Sequence, residues 1–334
     1  MNVRPIALIA GFWLFLLGAL LSAARSMAGD EEAVRIDVGG GVMLNSVLLR
    51  PHKTVDLPPV LFIHGASASL YDPMYSFRDK LEGRAALLFV DRPGHGDSDV
   101  GGPENILPDG QADAIASLME RRGIRKAIVV SHSFGGAIAA ALAVRHPDRV
   151  VGLVFLSPAV YPWKGGIAWY YDAAAVPVTG ALFSSLIAPP IGLLAIRSAT
   201  SATFSPNRMP QDYIREARTL QVLRPGTFRH NAQEVAALNG WARTASRGYR
   251  KIRVPTVIIT GDADSIVSPV VHARHLARDI RGARLFVVRN LGHKSDYVAR
   301  DLAIAAIESV GGRRVDLNAE ARTIELRIAA DDER

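Results

Sequence analysis

Ser133 stands where a serine could act as a nucleophile. It lies in the run Ala127-Ile128-Val129-Val130-Ser131-His132-Ser133-Phe134-Gly135-Gly136, which passes from an apolar, β-like stretch into an Ala-rich, helix-like one. Small-x-Ser-x-Gly at a strand-to-helix junction is the pattern of a nucleophile elbow. Such a turn pushes the serine hydroxyl out at its tip and crowds the flanking residues against the sheet. The residues two before and two after must therefore be small, and here they are Ser131 and Gly135. The helix that follows starts beneath the hydroxyl, and its free N–H groups and dipole favour negative charge developing there. The chemistry this suits is acyl transfer, in which attack on a carbonyl carbon leaves an anionic oxygen. Five-residue matches of this kind also occur by chance in plain Ser/Gly turns, so further pieces are needed.

The second piece is Val60-Leu61-Phe62-Ile63-His64-Gly65-Ala66-Ser67, an apolar strand-like run that ends in His-Gly and small residues. The N–H of Ala66 can join that of Phe134 as an oxyanion hole. His64 is expected to shape this loop by a local hydrogen bond rather than to serve as the base.

The elements that must hold these pieces are legible as periodicities. Val34–Val38 and Val42–Leu49 flank Gly39-Gly40-Gly41 and read as a hairpin. Short apolar runs at Pro59–Ile63, Ala85–Val90, Ala127–Val130, Val150–Leu156, Thr256–Thr260 and Arg284–Val288 read as buried strands. Helical stretches lie between most of them, among them Asp109–Arg121 and Phe134–Arg145, the latter stopped by Pro147. Buried strands alternating with helices predict an α/β architecture, a mostly parallel sheet covered on both faces. The alternation breaks between Leu156 and Thr256. There Gly165–Ile196 is apolar with one charge, Asp172, and Pro177, Gly180, Pro189 and Pro190 are expected to interrupt any straight helix. Asp212–Val222 and Ala232–Ala245 read as helices. The organisation expected is a core over 30–157, a helical cap over 158–250, a return to the core over 251–312, and a charged tail over 313–334 that is either a short extra element or a frayed end.

The third piece, Asp91-Arg92-Pro93-Gly94-His95-Gly96-Asp97-Ser98, again follows a strand. With it the chain resembles the α/β-hydrolase superfamily, in the branch that has a His-Gly oxyanion loop, an Asp-Arg-x-Gly-x-Gly-x-Ser loop and a helical cap. The resemblance spans about residues 34–310. Ser131 departs from it, since the family usually has Gly there, and a mild adjustment of the turn is expected. The family order of serine, acid, then histidine directs attention to Gly261-Asp262-Ala263-Asp264-Ser265-Ile266-Val267-Ser268-Pro269, which resembles the family's acid turn and puts Asp264 at the acid position. Asp262 is the rival and is expected to cap the turn. An alternative family position for the acid reads Ser157-Pro158-Ala159 here and holds no carboxylate. Asn290-Leu291-Gly292-His293 resembles the family's Gly-His loop and makes His293 the base.

The resemblance implies a serine hydrolase working without metal or organic cofactor on a small-molecule acyl substrate, a carboxylic ester. The apolar cap points to a lipophilic one, although the same residues would also serve to hold cap helices to the core. Rivals on the same fold are C–C bond hydrolases, thioesterases, amidases and perhydrolases; a rival of another class is a ligand-binding homologue without activity. His272 and His275 share a helical face with no further ligands nearby and read as surface residues. No His-Glu-x-x-His occurs, and His95 with Asp97 completes no metal-hydrolase signature. There is no cysteine, which excludes disulfides, a thiol nucleophile and thiolate metal sites. The formal net charge is +7, but Lys and Arg are scattered, so nucleic acid is not an expected partner.

At the N-terminus, no charge occurs between Arg4 and Arg25. The run suits a membrane-spanning helix, which needs ~20 apolar residues. Ser26-Met27-Ala28 has the small-x-small form of a signal cleavage site. Residues 1–29 are expected to be a membrane anchor or a signal peptide cut near Ala28. Either way the remaining domain would lie outside the cytoplasm, anchored in the first case and secreted or periplasmic in the second.

Overall fold

The computed structural model describes residues 33–51 and 55–332. The apolar N-terminal run and its cleavage-like triplet lie outside the described residues. The strands are β1 (Ala33–Asp37), β2 (Met43–Leu49), β3 (Val60–Ile63), β4 (Leu87–Val90), β5 (Ala127–His132), β6 (Val150–Leu156), β7 (Thr256–Gly261) and β8 (Arg284–Val288). They form one sheet in the order β1-β2-β4-β3-β5-β6-β7-β8. β2 runs antiparallel to β4, and every pairing from β4 through β8 is parallel. The central strands β3, β4 and β5 are buried along their whole length. That is what continuous Val/Ile/Leu/Phe runs require when helices cover both faces. β5 extends to His132, paired with Leu156 of β6, so the strand runs to the residue before Ser133.

The helices used below are α1 (Tyr71–Leu81), α2 (Pro108–Arg121), α3 (Phe134–Arg145), α4 (Trp169–Ala175), α5 (Thr179–Phe204), α6 (Pro225–Ala245), α7 (Ala273–Asp279), α8 (Arg300–Val310) and α9 (Leu317–Asp332). α2 buries Ala112, Ile115, Ala116 and Met119, the expected face, and opens with Pro108, whose missing N–H costs nothing in a first turn. α3 is buried from Phe134 through Ala143. Its small residues let it pack against the strand ends: a Cβ on Gly135 would lie 2.5 Å from the Ile63 carbonyl oxygen.

The insertion between β6 and β7 is helical, as expected, but three local expectations change. Pro177 separates α4 from α5 as expected, but Pro189 and Pro190 do not break α5. A π turn at Phe183–Ile187 precedes them, and Pro189 and Pro190 fall in the first turn of the α segment Ala188–Phe204, so the helix runs on for 26 residues. Asp212–Val222 is not one helix. Arg218 has φ +47°, and it separates a single turn at Tyr213–Glu216 from a 3₁₀ segment at Thr219–Leu223. α6 starts at Pro225, ahead of the expected Ala232. The charged tail is not frayed: it forms α9, which packs on α8 and β8 and buries Leu317, Ile324 and Ile328.

Candidate active site

Ser133 sits between β5 and α3 with φ +52° and ψ −119°, a strained conformation for a residue with a side chain. The surroundings hold it there. Its N–H donates to Leu156 O at 3.0 Å, and its carbonyl accepts from Gly136 N at 2.9 Å and Ala159 N at 3.0 Å. Ser131, at the family's glycine position, is buried, and its hydroxyl has no partner among the described residues.

The loop after β8 brings His293 to the serine. His293 Nε2 lies 3.0 Å from Ser133 Oγ, and His293 Nδ1 lies 2.8 Å from Asp264 Oδ2. Asp264 follows β7, and its Oδ1 accepts from Ile266 N at 3.0 Å and Val267 N at 2.9 Å. Burial pushes this carboxyl up, but the His293 hydrogen bond and the two amides outweigh it and hold the group below the usual range. Asp264 therefore stays ionised against the imidazole. Asp262, the rival acid, is exposed and accepts from Asn290 N at 2.6 Å, capping the histidine loop.

Phe134 follows Ser133 directly, and Ala66 follows Gly65 in the loop after β3. A Cβ on Gly65 would lie 3.2 Å from Ser133 Cβ, so the loop after β3 passes directly beside the serine. Neither Ala66 N nor Phe134 N donates to a protein acceptor among the described residues. His64 shapes this loop as expected. Its Nε2 accepts from Arg92 N at 3.1 Å, leaving Nδ1–H to donate to Gly65 O at 2.8 Å. Burial drives its pKa well down, so the ring is neutral, as that tautomer requires.

Several residues of the site carried no sequence signal. Asn231 of α6 accepts from Ser67 N at 2.7 Å and donates to Ser67 Oγ at 2.9 Å, while Tyr171 OH of α4 lies 3.1 Å from the same oxygen. The cap thus grips the loop after β3 directly. Beneath that loop Arg92, wholly buried, pairs with Glu234 of α6 through two bonds of 2.9 and 2.8 Å. Arg92 also donates to Gly65 O at 3.1 Å, and its guanidinium lies 4.7 Å over the Phe134 ring. His95 and Gln111 complete the shell of Glu234, each donating at 2.8 Å. On the other side of the elbow, Lys294 Nζ contacts both oxygens of Asp72 and Oδ2 of Asp296, all at 2.9 Å. Tyr213 OH donates to Asp72 at 2.5 Å, and His132 Nε2–H donates to the His293 carbonyl at 2.9 Å. Asp72, His132 and Asp296 hold ligand-type atoms within 4.8 Å of one another, and the ammonium of Lys294 supplies the positive charge there.

One expectation is overturned outright. His272 is not a surface residue: it is buried, and its Nδ1 accepts from Val160 N at 3.1 Å and Tyr161 N at 3.0 Å. Burial pushes it down to about 4, which keeps Nδ1 free to accept. His275 is half-buried, with Nδ1–H donating to Val271 O at 2.8 Å. A helical wheel could not show this, because the chain that covers His272 arrives from the end of β6.

Residues 58–295 match the family described as alpha/beta hydrolase fold. The dihydrolipoyllysine-residue acetyltransferase component of an acetoin cleaving system from Cupriavidus necator is 38% identical over 99 residues, which are 30% of this chain and 26% of that one. The chain thus spans about a quarter of that relative's length. Lipase 3 of Moraxella sp. (strain TA144) is 24% identical over 277 residues, 79% of each chain. A hydrolase from Pseudomonas aeruginosa PA01 has a similar crystal structure, with a TM-score of 0.68 and 20% identity, covering 85% of this chain and all of that one. At that identity the likeness concerns the fold. With the family matched over most of the chain and its sheet order and helical insertion in place, this protein belongs to the α/β-hydrolase fold family.

Proposed function

We propose that the protein hydrolyses a carboxylic ester through a covalent acyl-enzyme on Ser133, with His293 as base and Asp264 as its orienting acid. The observation that carries this is the unbroken hydrogen-bonded path from Ser133 Oγ through His293 to Asp264, together with the Ala66 and Phe134 amides, which have no acceptor among the described residues. In the first step Ser133 Oγ bonds to the acyl carbon, and its proton passes to His293 Nε2. The carbonyl oxygen becomes an anion held by the N–H groups of Ala66 and Phe134. Collapse breaks the bond to the leaving alcohol, which takes the proton from His293. Water then attacks the acyl group, giving its proton to His293, and the Ser133–acyl bond breaks as Oγ recovers a proton and the acid departs. Asp264 keeps Nδ1 protonated throughout and stabilises the imidazolium.

Distant relatives include esterases, lipases and C–C bond hydrolases. The apolar cap favours an ester with a lipophilic acyl or alcohol part. The test is fluorophosphonate labelling together with turnover of p-nitrophenyl esters of increasing chain length. Ser133→Ala is expected to abolish both while leaving the circular dichroism spectrum unchanged. Undiminished turnover in that variant would remove Ser133 from the mechanism.

We further propose that residues 5–24 hold the protein in a membrane with the hydrolase domain outside the cytoplasm. The length of the charge-free run supports this. Fractionation with N-terminal sequencing tests it: an intact Met1 terminus in a membrane fraction is expected. A terminus at Gly29 in soluble form would mean cleavage and export, and an intact terminus in the cytosol would overturn both.

A further inference from the structure

α5 reverses the usual arrangement of a surface helix. Its inward residues recur every fourth position and are mostly small: Gly180, Ser184, Ala188, then Thr200 and Phe204. Between them Gly192 lies so near Leu223 that a Cβ would come within 2.3 Å of it. The large apolar side chains point out instead. Val178, Leu182, Leu186, Ile191 and Leu194 are all more than half exposed, Leu194 at 90%. The extra residue of the π turn lengthens the step from Leu186 to Ile191 to five residues. Trp169 of α4, 70% exposed, extends this face, its ring centroid 6.1 Å from that of Phe183. Helices that face water put the large apolar residues inside. A contiguous exposed apolar patch on a soluble domain marks an interaction surface.

The charges say what covers it. From Ala173 to Gln211 there is no carboxylate, although the chain holds 32 Asp and Glu. The charges in that stretch are Arg197 and Arg208, both exposed. α5 and the segment after it present apolar side chains with cations and no anions, which matches an anionic lipid surface; α4 adds one exposed carboxylate, Asp172, together with Trp169, and Trp suits the headgroup level. The chain outside the described fold points the same way. The charge-free run ends at Ala24, and residues 25–32, at most ~30 Å of extended chain, separate it from β1. A span through the bilayer by α5 itself is excluded, because its inner face packs on the 3₁₀ segment Thr219–Leu223 and on α6.

We propose that the outward face of α4 and α5 docks on an anionic lipid bilayer, with Leu186, Ile191 and Leu194 entering the headgroup region and Arg197 and Arg208 meeting lipid phosphates. The docking does not rest on the catalytic reading, and its test uses no turnover. Because the chain has no cysteine, single cysteines report cleanly. Leu186→Cys, Leu194→Cys and, on α9, Leu326→Cys, also exposed, are each labelled with an environment-sensitive nitrobenzoxadiazole dye. The labelled full-length chains are reconstituted with phosphatidylcholine vesicles with and without phosphatidylglycerol. Expected are a blue shift and quenching by nitroxide-bearing lipids at 186 and 194, stronger with phosphatidylglycerol, and water-like emission at 326. Water-like emission at all three sites, or signals indifferent to phosphatidylglycerol, would overturn the proposal. So would a blue shift at 186 and 194 that rises with protein concentration and resists lipid nitroxides, since a second copy would then cover the face.

Discussion

Two buried ion clusters lie on either side of the elbow, and they are built differently. On the oxyanion side a single pair, Arg92 and Glu234, joins the core to the cap across 142 residues of sequence. On the base side one cation, Lys294, sits between Asp72 of α1 and Asp296, two residues further along its own loop. The first holds one domain against another and, through Gly65 O, the loop that carries Ala66. The second ties the His293 loop to the core. Taking such charges out of water costs several kcal/mol per ion, so a buried pair is a weak source of net stability. What both clusters supply is register: one fixes the loop whose Ala66 N–H must face the developing oxyanion, the other the loop whose His293 must reach Ser133 Oγ.

The largest expected effect probes the base-side loop at its other attachment. Asp264→Asn should lower kcat by up to ~10⁴-fold, since the amide no longer holds the imidazole in its tautomer. Asp262→Asn, which loosens only a cap on Asn290, should cost far less. Steady-state kinetics on a short ester separate them, and reversed results would move the acid by two residues.

Next come the clusters themselves. Removing one partner strands a buried charge, at roughly 3–5 kcal/mol. Lys294→Met should fall at the upper end, because two carboxylates lose their cation, and Glu234→Gln at the lower end, because the amide can still accept from Arg92. Urea denaturation measures both. Replacing Arg92 and Glu234 together by Met and Leu should restore most of the stability while kcat stays low, since Gly65 O keeps the His64 donor but loses that of Arg92. Recovery of both would mean that the pair has no part in positioning the oxyanion loop.

The smallest and most specific contrast is in pH. Burial pushes the Glu234 carboxyl up, but Arg92 and His95 outweigh it and hold it well below 4.5. Its stabilisation is therefore present above 4.5 and lost as pH falls below that value through its folded pKa. His95 adds to the same limb. Burial pushes it down to about 4, so its contribution fades as pH falls from 6.5. Lys294 behaves oppositely. Burial would lower it, yet Asp296 and Asp72 hold it well above 10.5. Its stabilisation is present below 10.5 and lost as pH rises above it. Melting temperature against pH should thus lose slope on the acid side in Glu234→Gln and on the alkaline side in Lys294→Met. A variant that flattens the opposite limb would break the comparison.

The parts legible in the sequence share a physical cause. Val150–Leu156 was readable to the residue because a strand covered on both faces must be apolar along its length, whereas Arg284–Val288, at the sheet edge with Arg284 exposed, was readable from a short apolar run and is only partly buried. Ser131 and Gly135 were readable because an elbow tolerates only small flanks. Arg218, the π turn in α5 and the burial of His272 were not, since each depends on what packs against the segment from elsewhere.

The same division holds at the site. Sequence alone determined the local turns that present Ser133, Asp264 and His293, because strand ends and sharp turns restrict residue type within a few positions. Tertiary structure alone decided that Glu234 lies beneath the oxyanion loop, that Asn231 and Tyr171 grip Ser67, and that Lys294 sits between Asp72 and Asp296. A buried charge or amide is satisfied by whichever group reaches it in space, and a partner more than a hundred residues away leaves no periodicity or spacing in the chain.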